Sequence, residues 1–426
     1  MCHTDRACSG SVPERAGFAV KVTDVKTILL TGPCTGDPYI LGARRLRSAA
    51  LIEIHTDGPQ IGIGESYAGY FCPELVAAAV EYFKPILLGV DIMEVGIQTL
   101  WQRMYLCENF WCRTGFGPTV LSGIEAALWD LKGKILGLPV YELLGGLRHD
   151  RLLAYATGGP SNYPEDRLKG KLDFYLRLGF RAFKVGAGYW DDDRRAAVDP
   201  LSRSGTVEME ARKAALMRKH VGPDISILID GHMSNPQSVT WDVQTAKTVL
   251  KALEPFDLYL FEEPLPYSDP WGYAELRRST SVPVAGGECL TTLNEFRLFA
   301  DLDALAIAQL DASFMGGLEE FIRVARMFDS RGKKIATHSW SAGVAQMQNI
   351  HAAFAAPNTV ILEIPPAAGP LHTELWGDSF RMRDGYVLPP QAPGLGVRLT
   401  DEIKAKYSFI PGSGEFNSVP GKILTS

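Results

Sequence analysis

The sequence predicts an α/β architecture: a modified (β/α) barrel of the TIM type carrying an α+β capping domain. Three observations predict it. Between residues 151 and 365, short apolar runs alternate with helical stretches, the rhythm of a parallel barrel. Acidic residues sit where some of those runs end: Asp230 and Glu262 each close one, and Glu288 follows another after two glycines. They are separated by 32 and 26 residues, about one strand-plus-helix unit, so their carboxylates converge on the carboxyl-terminal face of a barrel. Finally, the first 150 residues read as a strand meander followed by helices, which cannot belong to the barrel repeat.

In chain order, residues 1–17 are polar and aperiodic and are expected to form a disordered tail. Ala19–Leu30, Ser48–Thr56 and Ile61–Glu65 are strand-like, with Thr56-Asp-Gly58 as a turn. Residues 74–106 show helical periodicity, with Leu75, Ala78, Ala79, Tyr82 and Phe83 on the expected buried face. After the aromatic stretch Phe110–Gly117, Ser122–Lys134 is helical, buried through Ile124, Ala127, Leu128 and Leu131, and Gly137-Leu-Pro139 ends it. This makes residues 18–150 the capping domain. Eight barrel strands are expected at Leu152–Thr157, Ala182–Val185, Ile225–Asp230, Leu258–Glu262, Val282–Ala285, Ala306–Asp311, Lys334–His338 and Thr359–Glu363, within a barrel spanning 151–368. Trp190–Gly205 is read as a surface insertion. The turn-rich segment 384–397 cannot be barrel, so residues 369–426 are expected to return to the capping domain, with 412–426 frayed.

Bulk properties narrow the function. The chain has 426 residues, 46% hydrophobic and 22% charged, as in ordinary globular proteins. A formal charge of −6, from 43 basic and 49 acidic residues, leaves no nucleic-acid footprint. No apolar run reaches the ~18 residues of a membrane span. The first residues lack an apolar leader core, and the seven cysteines are scattered without a CxxC, so reduced thiols and a cytoplasmic location are expected. Cys289 follows Glu288 and has two readings, a residue lining the site or, the favoured one, a small buried residue. No dinucleotide or Walker-type phosphate loop is found; Gly186-Ala-Gly188 is only a GxG.

Three hard oxygen ligands without a cysteine partner suit Mg²⁺ or Mn²⁺. Strand alternation puts His232 on the face of Asp230, and turns Glu263 away from that of Glu262, leaving Glu263 a hydrogen-bonding neighbour of the ligands. Lys184 ends the second strand. Asp311 and His338 end the sixth and seventh, where contact would make a carboxylate–imidazole dyad suited to a general base. Glu363, ending the eighth, could bond a developing enolate or pair with a cation. Together these groups describe proton abstraction beside a carboxylate, the ene-diolate being stabilised by a divalent cation and Lys184.

On these residues the sequence resembles the mandelate racemase subgroup of the enolase superfamily, from about residue 20 to 400. The resemblance rests on Thr56-Asp-Gly-x-x-Gly-x-Gly-Glu65, Ala126–Lys134 with Leu143-Leu-Gly-Gly146, Glu262-Glu-Pro264, Gly287-Glu288, Asp311 with Gly316-Gly317, Asp384-Gly-Tyr and Pro393-Gly-Leu-Gly396. It implies Asp230, Glu262 and Glu288 as Mg²⁺ ligands, Asp311–His338 as the catalytic dyad, Glu363 near the substrate carboxylate, and a symmetric homo-oligomer. Lys184 falls on the first lysine of the family's Lys-x-Lys. The second position is Gly186, which cannot be a base, so racemisation by two opposed bases is disfavoured and dehydration of a sugar acid to a 2-keto-3-deoxy acid is favoured. His232, in an Asp-x-His pair, is a candidate acid for the leaving hydroxide; packing behind the ligands is its other reading. An epimerase, a cycloisomerase and a non-catalytic member keeping the metal site are the competing expectations. Arg44, Arg45, Tyr67 and Tyr70 are candidate readers of substrate hydroxyls and equally candidates for plain surface residues.

Overall fold

The computed structural model describes residues 19–34, 37–39, 46–158, 165–191, 196–198, 202–234, 240–340, 342–366 and 369–412. The chain begins with strands β1 (Val22–Pro33), β2 (Leu46–Thr56) and β3 (Gly62–Ser66), paired in that order as an antiparallel sheet. Helices α1 (Pro73–Leu87), α2 (Ile97–Glu108), α3 (Phe116–Leu136) and the short α4 (Val140–Leu143) follow. The expected meander is present. Its glycines have a steric reason: a Cβ at Gly62 or Gly64 would overlap the carbonyl oxygens of Ala127 and Gly123, so β3 lies directly against the α3 backbone.

The helical stretch 74–106 is divided between α1 and α2, and its expected buried face is corrected. In α1 the buried face is Val76, Val80, Phe83 and Leu87, whereas Leu75 and Tyr82 are 59% and 53% exposed. Two apolar stripes compete in that sequence, and the i, i+4, i+7 set beginning at Val76 fits against Val25, Ile52 and Ile124 in the cap core.

The second body is built from β4 (Leu152–Ala156), α5 (Glu165–Arg177), β5 (Ala182–Gly186), the small pair β6 (Tyr189–Asp191) and β7 (Ala196–Val198), α6 (Arg203–Val221) and β8 (Ser226–Asp230). It continues through α7 (Val243–Leu253), β9 (Leu258–Glu262), α8 (Pro270–Ser279), β10 (Val284–Gly286), α9 (Thr292–Asp301), β11 (Ile307–Leu310), α10 (Leu318–Asp329), β12 (Lys334–Thr337), α11 (Gly343–Ala355) and β13 (Thr359–Ile364). Eight parallel strands run β4-β5-β8-β9-β10-β11-β12-β13, and β13 pairs back to β4 to close the barrel. Helix starts follow the local chemistry: Asp242 and Asp269 cap α7 and α8 by accepting the Thr245 and Gly272 N–H groups. The expected surface insertion after the second strand contains the antiparallel β6–β7 pair.

Each barrel strand sends one residue into a closed interior layer: Tyr155, Ala182, Leu228, Leu260, Ala285, Ile307, Ala336 and Ile361. Two residues further along, alternation places Lys184, Asp230, Glu262, His338 and Glu363 on the same inward side at the strand ends. The barrel interior is therefore a packed plug that supports a floor of charged side chains.

Beyond the barrel come α12 (Pro370–Trp376), the hairpin β14 (Met382–Arg383) and β15 (Tyr386–Val387), and α13 (Asp401–Lys406). The segment meets the cap first at α12, where His372 Nε2 lies 3.0 Å from Arg47 Nη1; β15 then adds antiparallel to β4 at Leu152 and Leu153, a pairing the sequence did not signal. Further along it bonds to the cap again: Val140 N–H donates to the Gly394 carbonyl, Leu395 N–H to Asp130, and Thr31 N–H to the Tyr407 carbonyl. The expected tail at 1–17 and residues 413–426 lie outside the described residues. Among the described residues, no helix is long and apolar enough to cross a membrane.

Candidate active site

Register decides which side chains meet. Gly186 pairs with Asp230 across β5–β8, and Asp230 pairs with Glu262 across β8–β9. Lys184, buried one turn of the pleat below, sends its Nζ up among the acids, 3.0 Å from Asp230 Oδ2, 2.8 Å from Glu262 Oε2 and 3.2 Å from Glu363 Oε1. Burial opposes its charge, but the three carboxylates outweigh burial and raise its pKa well above the ordinary lysine value. The three carboxylates thus favour the ammonium form of this side chain.

Asp311 and His338 are brought together as expected. His338 Nδ1 lies 2.8 Å from Asp311 Oδ2, while Asp311 Oδ1 accepts from the Ser313 N–H (2.8 Å), the Ser313 hydroxyl (2.6 Å) and the Asn349 amide (2.9 Å). These bonds fix the carboxylate, which in turn fixes the ring, so the free Nε2 faces Glu288 at 3.7 Å. Burial lowers the imidazole's proton affinity, yet Glu288, Asp311 and Glu363 overcome it and hold the pKa at about 10. Glu288 is itself a candidate ligand, so a cation bound there would offset the largest raising influence. Glu363 pairs with Lys184 and accepts the Ser339 N–H at 2.6 Å, the cation-pairing alternative of the two expected for it.

His232 does reach Asp230, Nε2 to Oδ2 at 2.9 Å, though by a different route than plain alternation. Its φ is 49°, so the chain has already turned out of the strand. Burial disfavours the imidazolium, and Asp230 outweighs that and raises the His232 pKa.

The acids fit a hard divalent cation. Glu262 Oε1 and Glu288 Oε2 are buried without a hydrogen-bond partner, and Asp230 Oδ2, despite its two ion-pair neighbours, accepts no well-directed hydrogen bond. Orphaned carboxylate oxygens from three consecutive parallel strands are what a Mg²⁺-type ligand set requires. Asp230, His232 and Glu288 each offer an atom within 4.8 Å of the others; Glu262 stands beside this group with its Oε2 drawn onto Lys184.

Two further residues depart from expectation. Glu263, expected to face away, has φ 42° and a carboxylate that joins Glu288 and Cys289 within 4.8 Å. The alternation rule stops applying once the strand ends, and the positive φ swings this side chain back. Cys289, expected to be buried, is exposed. At the cap seam, Tyr67 is buried and packs against the His338 ring at an interplanar angle of 62°, centroids 5.5 Å apart, while Tyr70 accepts from the Trp340 indole N–H at 2.5 Å. Only the aromatic character of Ser66–Cys72 hinted at this contact. Arg44 and Arg45 lie outside the described residues.

With this geometry in place, comparison with known proteins is decisive. Residues 170–403 match the enolase C-terminal domain-like family, and residues 36–145 match the mandelate racemase/muconate lactonizing enzyme N-terminal domain. The chain belongs to the mandelate racemase/muconate lactonizing enzyme family of the enolase superfamily. It is 30% identical over 358 residues to an arabinonate dehydratase of Saccharolobus solfataricus, covering 83% of this chain and 89% of that one. It is 31% identical over 370 residues to a D-galactonate dehydratase of Cronobacter sakazakii, with the same coverage. A crystal structure of the 3,6-anhydro-D-galactonate cycloisomerase from Zobellia galactanivorans superposes with a TM-score of 0.77 at 27% identity, covering 91% of this chain and 99% of that one. The family match accounts for the capped barrel and makes the chain an enzyme. Among the described residues of β5, the side chain that reaches the acids is Lys184, while Gly186, pairing with Asp230, carries none.

Proposed function

We propose that this enzyme is a Mg²⁺-dependent dehydratase of a sugar acid, an aldonate or aldarate, giving a 2-keto-3-deoxy acid. The observation that carries the reading is the single oriented base: His338 Nε2 faces the acid cluster, held by Asp311, while Gly186 leaves the opposite strand end without one. Dehydratase relatives at 30% and 31% identity support the same reaction class. Asp230, Glu262 and Glu288 would hold the cation, which when bound supplies Lewis-acid stabilisation of the substrate carboxylate as it gains a second negative charge.

His338 Nε2 takes the α-proton, and the C–H electron pair moves into the carboxylate to form the ene-diolate. Lys184, already cationic and fixed by three acids, stabilises that charge where it develops. As the electron pair returns, the β-carbon–oxygen bond breaks. In this reading His232, 2.9 Å from Asp230, enters the step protonated and gives its proton to the departing hydroxide, which leaves as water. The resulting enol tautomerises to the 2-keto acid.

The test is incubation with Mg²⁺ and a panel of aldonic and aldaric acids that includes arabinonate and galactonate, followed by mass spectrometry and an α-keto acid assay. A product one water lighter than its substrate is expected. The cycloisomerase neighbour gives a second reading, which predicts a product of unchanged mass. Exchange of the α-proton in D₂O without loss of water from any substrate overturns the dehydratase assignment.

A further inference from the structure

We propose that Glu263, Glu288 and Cys289 form a binding site for a thiophilic divalent cation of the zinc type, sharing Glu288 with the acid cluster. One ligand atom from each lies within 4.8 Å of the other two, and Cys289 Sγ is 4.0 Å from Glu288 Oε1. An independent observation points to a ligand there. Glu263 is 1% exposed; its Oε1 accepts the Ser234 N–H at 2.5 Å, but its Oε2 is buried with no hydrogen-bond partner. Glu288 Oε2 is orphaned in the same way. A buried carboxylate oxygen without a donor is costly unless a cation answers it. The backbone works to keep it there, since Glu263 holds φ at 42° on a non-glycine residue.

The donor set identifies the ion class. Two carboxylates alone would favour Mg²⁺ or Ca²⁺, but a thiolate in the same group selects a softer metal, and three protein ligands leave a fourth position for water. Cys289 is exposed, which gives the ion an entry path from solvent. Binding exchanges the Sγ proton for the cation and releases that proton to solvent. Because Glu288 cannot serve two ions freely, zinc occupancy here competes with Mg²⁺. That consequence rests on the proposed function; the site itself does not.

The experiment titrates full-length protein, kept reduced, with Cd²⁺ as the probe. It follows the thiolate-to-cadmium charge-transfer absorption and counts bound metal by equilibrium dialysis. Wild type is expected to show more of this band than Cys289→Ser, by an amount equal to one cysteine per chain. Glu263→Gln is expected to weaken the Cys289-dependent binding at least about tenfold. An unchanged band and stoichiometry in Cys289→Ser overturns the site, whether or not either protein turns over a sugar acid. If Mg²⁺-supported turnover is found, zinc should inhibit wild type at concentrations that leave Cys289→Ser active. A Cys289-dependent band with zinc-insensitive turnover supports the site and overturns the competition.

Discussion

Lys184 is the positive charge around which the strand-end acids are arranged. It touches Asp230, Glu262 and Glu363 at 2.8–3.2 Å, and all four side chains are buried. Removing one partner from a buried ion cluster strands the others, so Lys184→Met should cost about 3–5 kcal/mol at neutral pH. Added Mg²⁺ should return part of that, because the same acids gain a substitute cation. Urea melts with and without Mg²⁺ measure both effects; a variant as stable as wild type without Mg²⁺ would show that the acids do not depend on this charge. His338 makes a different kind of prediction. In His338→Asn the amide can still bond Asp311, so the fold should persist while α-proton exchange falls by about 10²- to 10⁴-fold. NMR in D₂O reads it directly. Exchange that survives the substitution places the base elsewhere.

At the scale of elements, the cap is fixed to the barrel by acids that serve as helix caps. Glu125 on α3 accepts the Leu318 and Glu319 N–H groups at the start of α10, together with the Trp129 indole N–H. Glu65 on β3 accepts the Ala342 and Ala345 N–H groups at the start of α11. The first N–H groups of a helix lack internal partners, so each acid answers a fixed need. Glu125→Ala strands three donors and should cost about 2–3 kcal/mol in a denaturant melt, with Glu125→Gln costing less. This tier of the structure was barely legible in sequence. Glu65 closes a hairpin motif and Glu125 sits inside a helix motif, but nothing local says which helix either one caps. The barrel floor was legible because it obeys a period of two: Lys184, Asp230, Glu262, His338 and Glu363 each stand two residues beyond an interior-layer residue. The rule fails just past β8 and β9, where His232 and Glu263, two residues and one residue beyond the strand ends, take positive φ. Helix α1 was misread for a related reason, since two apolar stripes were available and only the tertiary partner chose between them.

Across the whole molecule, cap, barrel and carboxyl-terminal segment share one buried seam, and His351 lies in it. This residue of α11 is fully buried, stacks on Tyr141 at 5.5 Å, and accepts the Tyr141 N–H on Nδ1 at 3.2 Å. Burial disfavours the imidazolium and pushes its pKa down from 6.5 to about 3. The unfolded chain therefore binds this proton more readily than the folded one. The resulting stability is complete above about pH 6.5 and is lost as the pH falls towards 3, amounting to about 2 kcal/mol lost by pH 5. Glu65 and Glu125, which burial raises from 4.5 to about 7 and about 8, act with the opposite sign over the same interval. A comparison of wild type with His351→Gln cancels them, because both proteins carry both acids and the glutamine can still accept the Tyr141 N–H. The stability of wild type relative to the variant should drop by about 2 kcal/mol between pH 7 and pH 5. Chemical denaturation of both proteins at the two pH values measures it. Since the ring bonds a cap residue from a barrel helix, the drop should appear in a single transition that melts both bodies together; a cap that melts separately at pH 5 would mean that the seam is not shared.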